Sequence, residues 1–450
     1  MNILDLIAHF RAPQARQKYT DPATVTIHYR YWRVRVMYSL FIGYALFYFC
    51  RKNLSVALPV LAKELHYNNT QLGILGASLY VTYGIGKFAS GVLGDHSNAR
   101  LMMVTGVVLS AVMNVLFGMS SSLGALTAFW ALNGLFQSLG VPPCARLLAN
   151  WYSVSERGVM WGIWNVSHQV GAAAVAAFTG VLISHAGWRA AFFVPAALCM
   201  ATGIFLWERL RDTPTSMGLP SVDEYRNEHE FDLKGHKTSD DPESISNVVW
   251  GRVLNNPYIW LLGFVNLLVY VVRTSVFDWA AKYMVEVKGS TLARAGITTA
   301  VLELVGIVGA LLAGVLSDRL DGGRRGPTCL AFFALTPVGL ITFYLNPPGN
   351  FTLDAVALGA VGLCIYAPQF LVSVFAADLA TRKGAATAIG FVGAFGYAGA
   401  ALSGVGTGLL VDRFGWRGGF MYWLGATLLG TLLTAALFNV HPRRRSLPRA

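Results

Sequence analysis

Four cationic side chains lie inside stretches that are otherwise apolar: Arg51, Lys52, Lys87 and Arg273. Each would cost about 2.5–3.5 kcal/mol at the centre of a lipid-exposed helix, so each must face protein or water. An arginine offers a planar fork that matches two oxygens of a phosphate, and a lysine adds a point charge. The carboxylates in the same kind of stretch are Asp278 and Glu303, the possible charge partners. Four cations against two anions leave an excess of two positive charges. A phosphate monoester, at about −1.5 to −2 near neutral pH, matches that excess. The plainer reading is a set of structural ion pairs. Arg273 and Asp278 are five residues apart, a poor spacing for a pair along one helix. Asp278 and Glu303 read equally well as structural partners of a site and as parts of it.

Tyrosines accompany the cations at helical spacing. Tyr44, Tyr48 and Arg51 fall at i, i+4 and i+7, Tyr83 and Lys87 at i, i+4, and Tyr270 and Arg273 at i, i+3. Tyr366 and Tyr397 stand in apolar surroundings, where a hydroxyl needs a partner. Any one of them serves core packing as readily as ligand contact. His168, with Asn165 one turn earlier, would share a cavity with cations that disfavour its charging; a bound phosphate reverses that effect.

Other chemistry is excluded. The cysteines, Cys50, Cys144, Cys199, Cys329 and Cys364, lie in apolar stretches without metal-ligand spacing and read as packing residues. No nucleotide-binding loop and no catalytic constellation is present, so the expectation is a non-enzyme with no metal and no cofactor.

The elements that must position these residues are membrane helices. The chain is 54% hydrophobic and 13% charged, against about 25% charged in soluble domains. Apolar segments repeatedly reach the ~20 residues that span a bilayer. Periodicity and length predict helices at 36–61, 71–94, 101–119, 125–148, 158–183 and 188–206. A second set is predicted at 256–284, 293–317, 327–345, 353–377, 384–411 and 418–438. The fold class is therefore an all-α membrane protein of about twelve transmembrane helices. Its expected organisation is a tail at 1–35, a six-helix bundle at 36–206, a polar linker at 207–255, a second bundle at 256–438 and a tail at 439–450. A short helix is expected within the linker near 246–253. Residues 1–35 are polar and basic, so the first apolar stretch starts too late for a cleavable leader.

Lysine and arginine set the orientation. With a cytoplasmic N-terminus, 24 of the 35 fall inside, 7 outside and 4 within spans. Both termini are therefore expected to be cytoplasmic, in a cell (inner) membrane. The basic excess is a topology signal beside the lipid bilayer, and no nucleic-acid partner is implied.

The two halves repeat. Gly91–Asp95 reads GVLGD and Gly314–Asp318 reads GVLSD, 223 residues apart; GWR recurs at Gly187 and Gly415; Arg51 and Arg273 are 222 apart. Parallel six-helix repeats place a binding site near the midplane between the halves, with Arg51 and Arg273 facing each other. The two GVL(G/S)D loops, with Asp95, Arg100, Asp318 and Arg319, read as a latch with a gating role rather than as ligand contacts.

Several runs resemble one family. Gly43–Asn53 (GYALFYFCRKN), Lys87–Arg100 (KFASGVLGDHSNAR), Trp164–Gly171 (WNVSHQVG), Arg211–Pro220 (RDTPTSMGLP), Tyr270–Trp279 (YVVRTSVFDW), Ile365–Pro368 (IYAP) and Phe395–Ala400 (FGYAGA) are similar to the organophosphate:phosphate antiporter family of the major facilitator superfamily. Arg30–Arg33 (RYWR), Cys144–Ser153 and Asn256–Leu262 look most like its hexose-phosphate transporter and receptor branch. The resemblance implies that Arg51 and Arg273 clamp phosphate. It places Lys87, Tyr44, Tyr48, Tyr83, Asn165, His168, Tyr270, Tyr366 and Tyr397 at substrate-site positions. It further implies uptake of a sugar phosphate, with glucose 6-phosphate foremost, in exchange for inorganic phosphate by alternating access. The alternative is a transporter-like sensor of external hexose phosphate with a histidine kinase as partner. Where the family often has arginine after the loop aspartate, this chain has His96.

Overall fold

The computed structural model describes residue 19 and residues 21–226, 247–319 and 324–440. They form helices α1 (Pro22–Phe47), α2 (Phe49–Glu64), α3 (Asn69–His96), α4 (Ala99–Met119), α5 (Leu123–Gln137), α6 (Val141–Trp151), α7 (Val154–Ala186) and α8 (Ala190–Arg209). After a short α9 (Val222–Arg226) come α10 (Pro257–Glu286), α11 (Leu292–Arg319), α12 (Arg325–Leu345) and α13 (Phe351–Ala435). The stretch expected as a short linker helix is π-helical, at Asn247–Leu254.

Among the described residues, eight segments are long and apolar enough to cross a bilayer by themselves. One, Thr387–Ala435, has 49 residues, about 74 Å if straight, against a hydrocarbon core of about 30 Å. It folds back instead. Gly415 takes φ +65°, open to glycine without the steric cost a Cβ brings. Trp423 Nε1 donates to Thr407 Oγ1 at 3.0 Å and the Tyr422 hydroxyl to the Leu402 carbonyl at 3.2 Å, contacts that a straight helix forbids. Counting this segment twice and adding α1–α2, α3 and α5–α6 gives twelve crossings, the number expected from the apolar pattern.

Three helix boundaries differ from the sequence expectation. α1 starts at Pro22, where Asp21 accepts from the backbone N–H groups of Ala23 and Thr24. Its early turns are kept helical by buried aromatics: Tyr29 stacks on Tyr225 at 3.9 Å and donates to the Pro220 carbonyl at 2.8 Å. The helix expected at 125–148 is two, α5 and α6, separated at 138–140. Pro142 and Pro143 lack the N–H groups that would continue α5, but suit the first turn of α6. The first crossing breaks at Tyr48, between α1 and α2.

The chain divides into two compact units. The first holds the described residues within Met1–Asn53, Thr82–Val175 and Arg189–Asp241. The second holds those within Leu54–Val81, Ala176–Trp188 and Pro242–Ala450. In the first unit the core is aromatic, with Phe117, Trp130 and Phe192 in mutual contact. In the second, helices approach to backbone contact: a Cβ at Gly73 would meet the Gly404 carbonyl oxygen at 2.3 Å. Such approaches are how helices gain packing energy in lipid, where apolar burial offers no driving force.

Candidate functional site

In the first unit the site residues hang on the break at Tyr48. Here the ordinary helical ladder is disturbed. Tyr48 N–H reaches back to Ala45 O, and both Arg51 and Lys52 N–H groups donate to Tyr48 O. Side-chain amides from neighbouring helices take up carbonyls of this stretch. Gln137 Nε2 donates to Phe47 O at 3.0 Å. Asn133 Nδ2 and Asn114 Nδ2 donate to Cys50 O at 2.7 and 3.0 Å. Asn53 Nδ2 ties the next turn to Asn114 Oδ1 and the Ala191 carbonyl, both at 2.9 Å. All four amide side chains are buried. Within a bilayer an interruption of the helical ladder persists only where protein satisfies its polar groups. Sequence reasoning missed Asn114, Asn133 and Gln137. Their signal was visible: amide side chains in the middle of apolar segments.

The break presents Arg51 just beyond it. The guanidinium lies over the Tyr83 ring at 4.2 Å and the Tyr48 ring at 5.2 Å, within the range of cation–π attraction. Tyr48 in turn contacts His168 at 5.7 Å between rings and Tyr44 at 5.7 Å, and Tyr44 contacts Trp164 at 4.9 Å. His168 Nδ1 donates to the Asn165 carbonyl. Arg51, Tyr44, Tyr48, Tyr83, His168 and Asn165 thus form one connected group. Lys52 is buried and Lys87 half-buried in the same unit.

In the second unit α10 runs unbroken past Arg273. Arg273 Nε donates to the Tyr366 hydroxyl at 2.8 Å, and Nη2 lies 3.6 Å from Glu303 Oε1. The Tyr366 hydroxyl donates to Glu303 Oε2, closing a triangle of arginine, phenol and carboxylate. Glu303 is fully buried and Arg273 is 9% exposed. The guanidinium stands 4.6 Å from the Tyr366 ring centre and 5.8 Å from that of Tyr270, which contacts Tyr397 at 6.0 Å. Gly306, one turn beyond Glu303, makes the triangle possible: a Cβ there would come within 2.3 Å of the Tyr366 ring.

Asp278 lies on the same helix, α10. It accepts from Ser55 Oγ at 2.6 Å and from the Tyr80 hydroxyl at 2.7 Å. It therefore joins α10 to the described ends of α2 and α3 inside the second unit. Of the two carboxylates considered as charge partners, the ion pair with Arg273 belongs to Glu303.

The loop residues are placed as follows. Asp318 pairs with Arg325 at 2.5 Å, and Arg325 also reaches Asp378 at 3.2 Å. Sequence reasoning had singled out Arg319; it is exposed, and the residue between the two aspartates is Arg325. Arg100 lies 4.5 Å over the Trp207 ring. The side chain of Asp95 lies outside the described residues. Nearby, outside the spans, Asp212 accepts from Ala99 N–H at 2.8 Å and sits 3.4 Å from Arg146. Burial pushes its carboxyl above the ordinary range, with Arg146 opposing. Among the described residues no group of histidine, cysteine, aspartate or glutamate could hold a metal ion.

Comparison with known proteins bears on this arrangement. The model of the Major Facilitator Superfamily matches residues 40–374. A probable hexose phosphate transport protein of Chlamydia trachomatis is 39% identical over 442 residues, 96% of each chain. The membrane sensor protein UhpC of Escherichia coli is 37% identical, over 98% of this chain and 100% of its own. The glycerol-3-phosphate transporter of Bacillus subtilis is 36% identical, over 94% and 96%. A bacterial homologue of the human lysosomal transporter Spinster, solved in an inward-facing, unoccupied conformation, superposes with a TM-score of 0.72 at 17% identity, over 90% of this chain and 95% of its own; that likeness speaks for the fold. With full-length relatives at this identity and a superfamily match over most of its length, the chain belongs to the organophosphate:phosphate antiporter family of the major facilitator superfamily, as a multi-pass membrane protein.

Proposed function

We propose that this protein is a secondary active transporter that takes up a sugar phosphate, with glucose 6-phosphate foremost, in exchange for inorganic phosphate. One observation carries the reading: each repeat contributes one intramembrane arginine, Arg51 and Arg273, set among tyrosines. Full-length relatives named for phosphate-ester transport support the substrate class. In this reading the two arginines grip phosphoryl oxygens as forks, Lys87 and His168 add positive charge, and the tyrosines shape the space around the sugar. The bundles at 36–206 and 256–438 rock about the site, joined by the linker at 207–255. The 24-to-7 distribution of basic residues supports an inner-membrane protein with both termini cytoplasmic. The loop residues Asp95, Arg100, Asp318 and Arg319, now with Arg325, act as the gate. The protein performs no covalent chemistry on its cargo.

Coupling is electrostatic. Without an anion the cations of the two halves repel, and a divalent anion relieves the repulsion and permits closure. Glu303 tempers this on the Arg273 side. Proteoliposomes loaded with phosphate and given labelled glucose 6-phosphate outside test the proposal. Uptake is expected only when phosphate or a sugar phosphate is trapped inside. Equal uptake into liposomes without an internal anion would overturn obligate exchange.

The 37% identity to UhpC over the whole chain favours one rival, a sensor of external hexose phosphate that signals to a histidine kinase. Tight binding of glucose 6-phosphate with no crossing under any gradient decides for the sensor.

A further inference from the structure

The first unit has a groove that takes no part in the proposed site. It occupies about 790 Å³ between α1 and α7. Its apolar wall is made by Val34, Met37, Phe41, Ile42, Met160 and Ile163. Toward the start of α1 the lining changes to Arg30 and Arg33. Val34, Ile42 and Ile163 are 61%, 42% and 47% exposed. In a chain that spans a bilayer, an exposed apolar strip of this kind is solvated by acyl chains.

The charged residues that line the groove itself, Arg30 and Arg33, are both cationic. Arg33 pairs with Glu156 at 2.5 Å and lies 4.8 Å over the Tyr152 ring. Glu156 also binds Arg226. Arg30 is exposed and makes no ion pair among the described residues. Arg33 and Arg226 thus share one carboxylate, and Arg30 stands on the groove wall beside them. From Arg30 to Ile42 is about 18 Å along a helix, near the ~15 Å depth of one hydrocarbon leaflet.

We propose that this groove holds one anionic phospholipid, with its headgroup phosphate on Arg30 and Arg33 and one acyl chain along Val34, Met37, Phe41 and Ile42. Charge complementarity selects the headgroup: basic pockets between membrane helices attract anionic lipids, and zwitterionic lipids bring no net charge. A free phosphate would use the arginines and leave the apolar wall empty, so lipid is the occupant that fits the whole groove.

The test is native mass spectrometry of the full-length protein in detergent micelles containing equal phosphatidylglycerol and phosphatidylethanolamine. The wild type is expected to retain phosphatidylglycerol in preference by about fivefold, the effect of roughly one basic residue near the membrane surface. Arg30→Glu should bring the ratio near one, with Arg30→Gln as the milder variant if the first aggregates. Val34→Trp, which fills the groove, should lower retention of both lipids. Lys63→Glu, an exposed charge elsewhere, should leave the preference intact. Inorganic phosphate should displace none of the bound lipid. Equal retention of the two lipids by the wild type, an unchanged ratio in Arg30→Glu and Arg30→Gln, or displacement by inorganic phosphate would each overturn the proposal. Because transport is not the readout, failure here leaves the exchange reading untouched.

Discussion

The two arginine-bearing crossings occupy matching places in the two repeats, yet they differ in what surrounds the arginine. In the first unit the helix breaks at Tyr48, three buried amides take up its carbonyls, and Arg51 lies over two tyrosine rings. In the second, α10 is continuous and Arg273 is tied to a buried carboxylate through an ion pair and a phenol. A ring face attracts a cation without cancelling its charge. A carboxylate offsets the charge and also fixes the geometry. The pair at Arg273 therefore positions a fork whose charge is partly met, and Arg51 is carried beside the interrupted turn with its guanidinium over two rings.

The sharpest way to break this contrast is to remove each arginine. Arg51→Ala and Arg273→Ala should each weaken glucose 6-phosphate binding a hundredfold or more, about 2.7 kcal/mol, as charge-assisted bonds are lost. Their effects on stability should differ. Arg273→Ala strands Glu303, which is fully buried, and a stranded partner of a buried pair costs about 3–5 kcal/mol. Arg51→Ala removes contacts with two tyrosine rings, each worth about 0.5–2 kcal/mol. Thermal unfolding in detergent checks both, and Arg273→Ala combined with Glu303→Ala should recover the unfolding temperature without recovering binding. Equal destabilisation by the two single variants would end the comparison.

A second measurement addresses the broken helix. Asn133→Leu removes a donor to the Cys50 carbonyl, and Gln137→Leu removes the one at Phe47. Each should lower stability by about 1–3 kcal/mol, the cost of an unmet buried polar group. Asn266→Leu in the second unit, where the amide serves the Val392 carbonyl and no break in its own helix, should affect stability but leave ligand affinity near wild type. Transport by Asn133→Leu and Gln137→Leu should fall further than their stability loss accounts for, because the break aims Arg51.

Arg51→Lys and Arg273→Lys keep the charge and lose the fork. Each should weaken phosphate binding tenfold or more, about 1.4 kcal/mol. Wild-type affinity in both would leave a diffuse positive field as the basis of binding. The smallest expected effect is that of Glu303→Gln, which keeps an acceptor for the Tyr366 hydroxyl but removes the competing charge. Glucose 6-phosphate should bind several-fold tighter, with about 1 kcal/mol gained from a guanidinium released to the ligand. A loss as large as that of Arg273→Lys would instead make Glu303 chiefly a positioning group.

The membrane class, the helix count, the family and the repeat were legible in the sequence, because each rests on pattern. Spans come from runs of apolar residues, and the repeat comes from GVLGD against GVLSD and Arg51 against Arg273. The intramembrane charges were legible for the same reason: a cation in an apolar run is conspicuous. The break at Tyr48 was not legible, because no proline or glycine marks it and the amides that sustain it come from residues 114, 133 and 137. The fold-back at Gly415 was legible in the GWR landmark, whereas Arg325 was hidden among three neighbouring arginines.

By itself, then, the sequence determined which residues carry charge within the apolar stretches, since apolar patterning is a local property. Tertiary structure alone decided the partners. Glu303 meets Arg273 across 30 residues and Tyr366 across 63. Asp278, close to Arg273 in sequence, is held by Ser55 and Tyr80. The reason is directional: five residues along a helix turn a side chain away from its neighbour, and packed helices bring distant hydroxyls and carboxylates within hydrogen-bond reach.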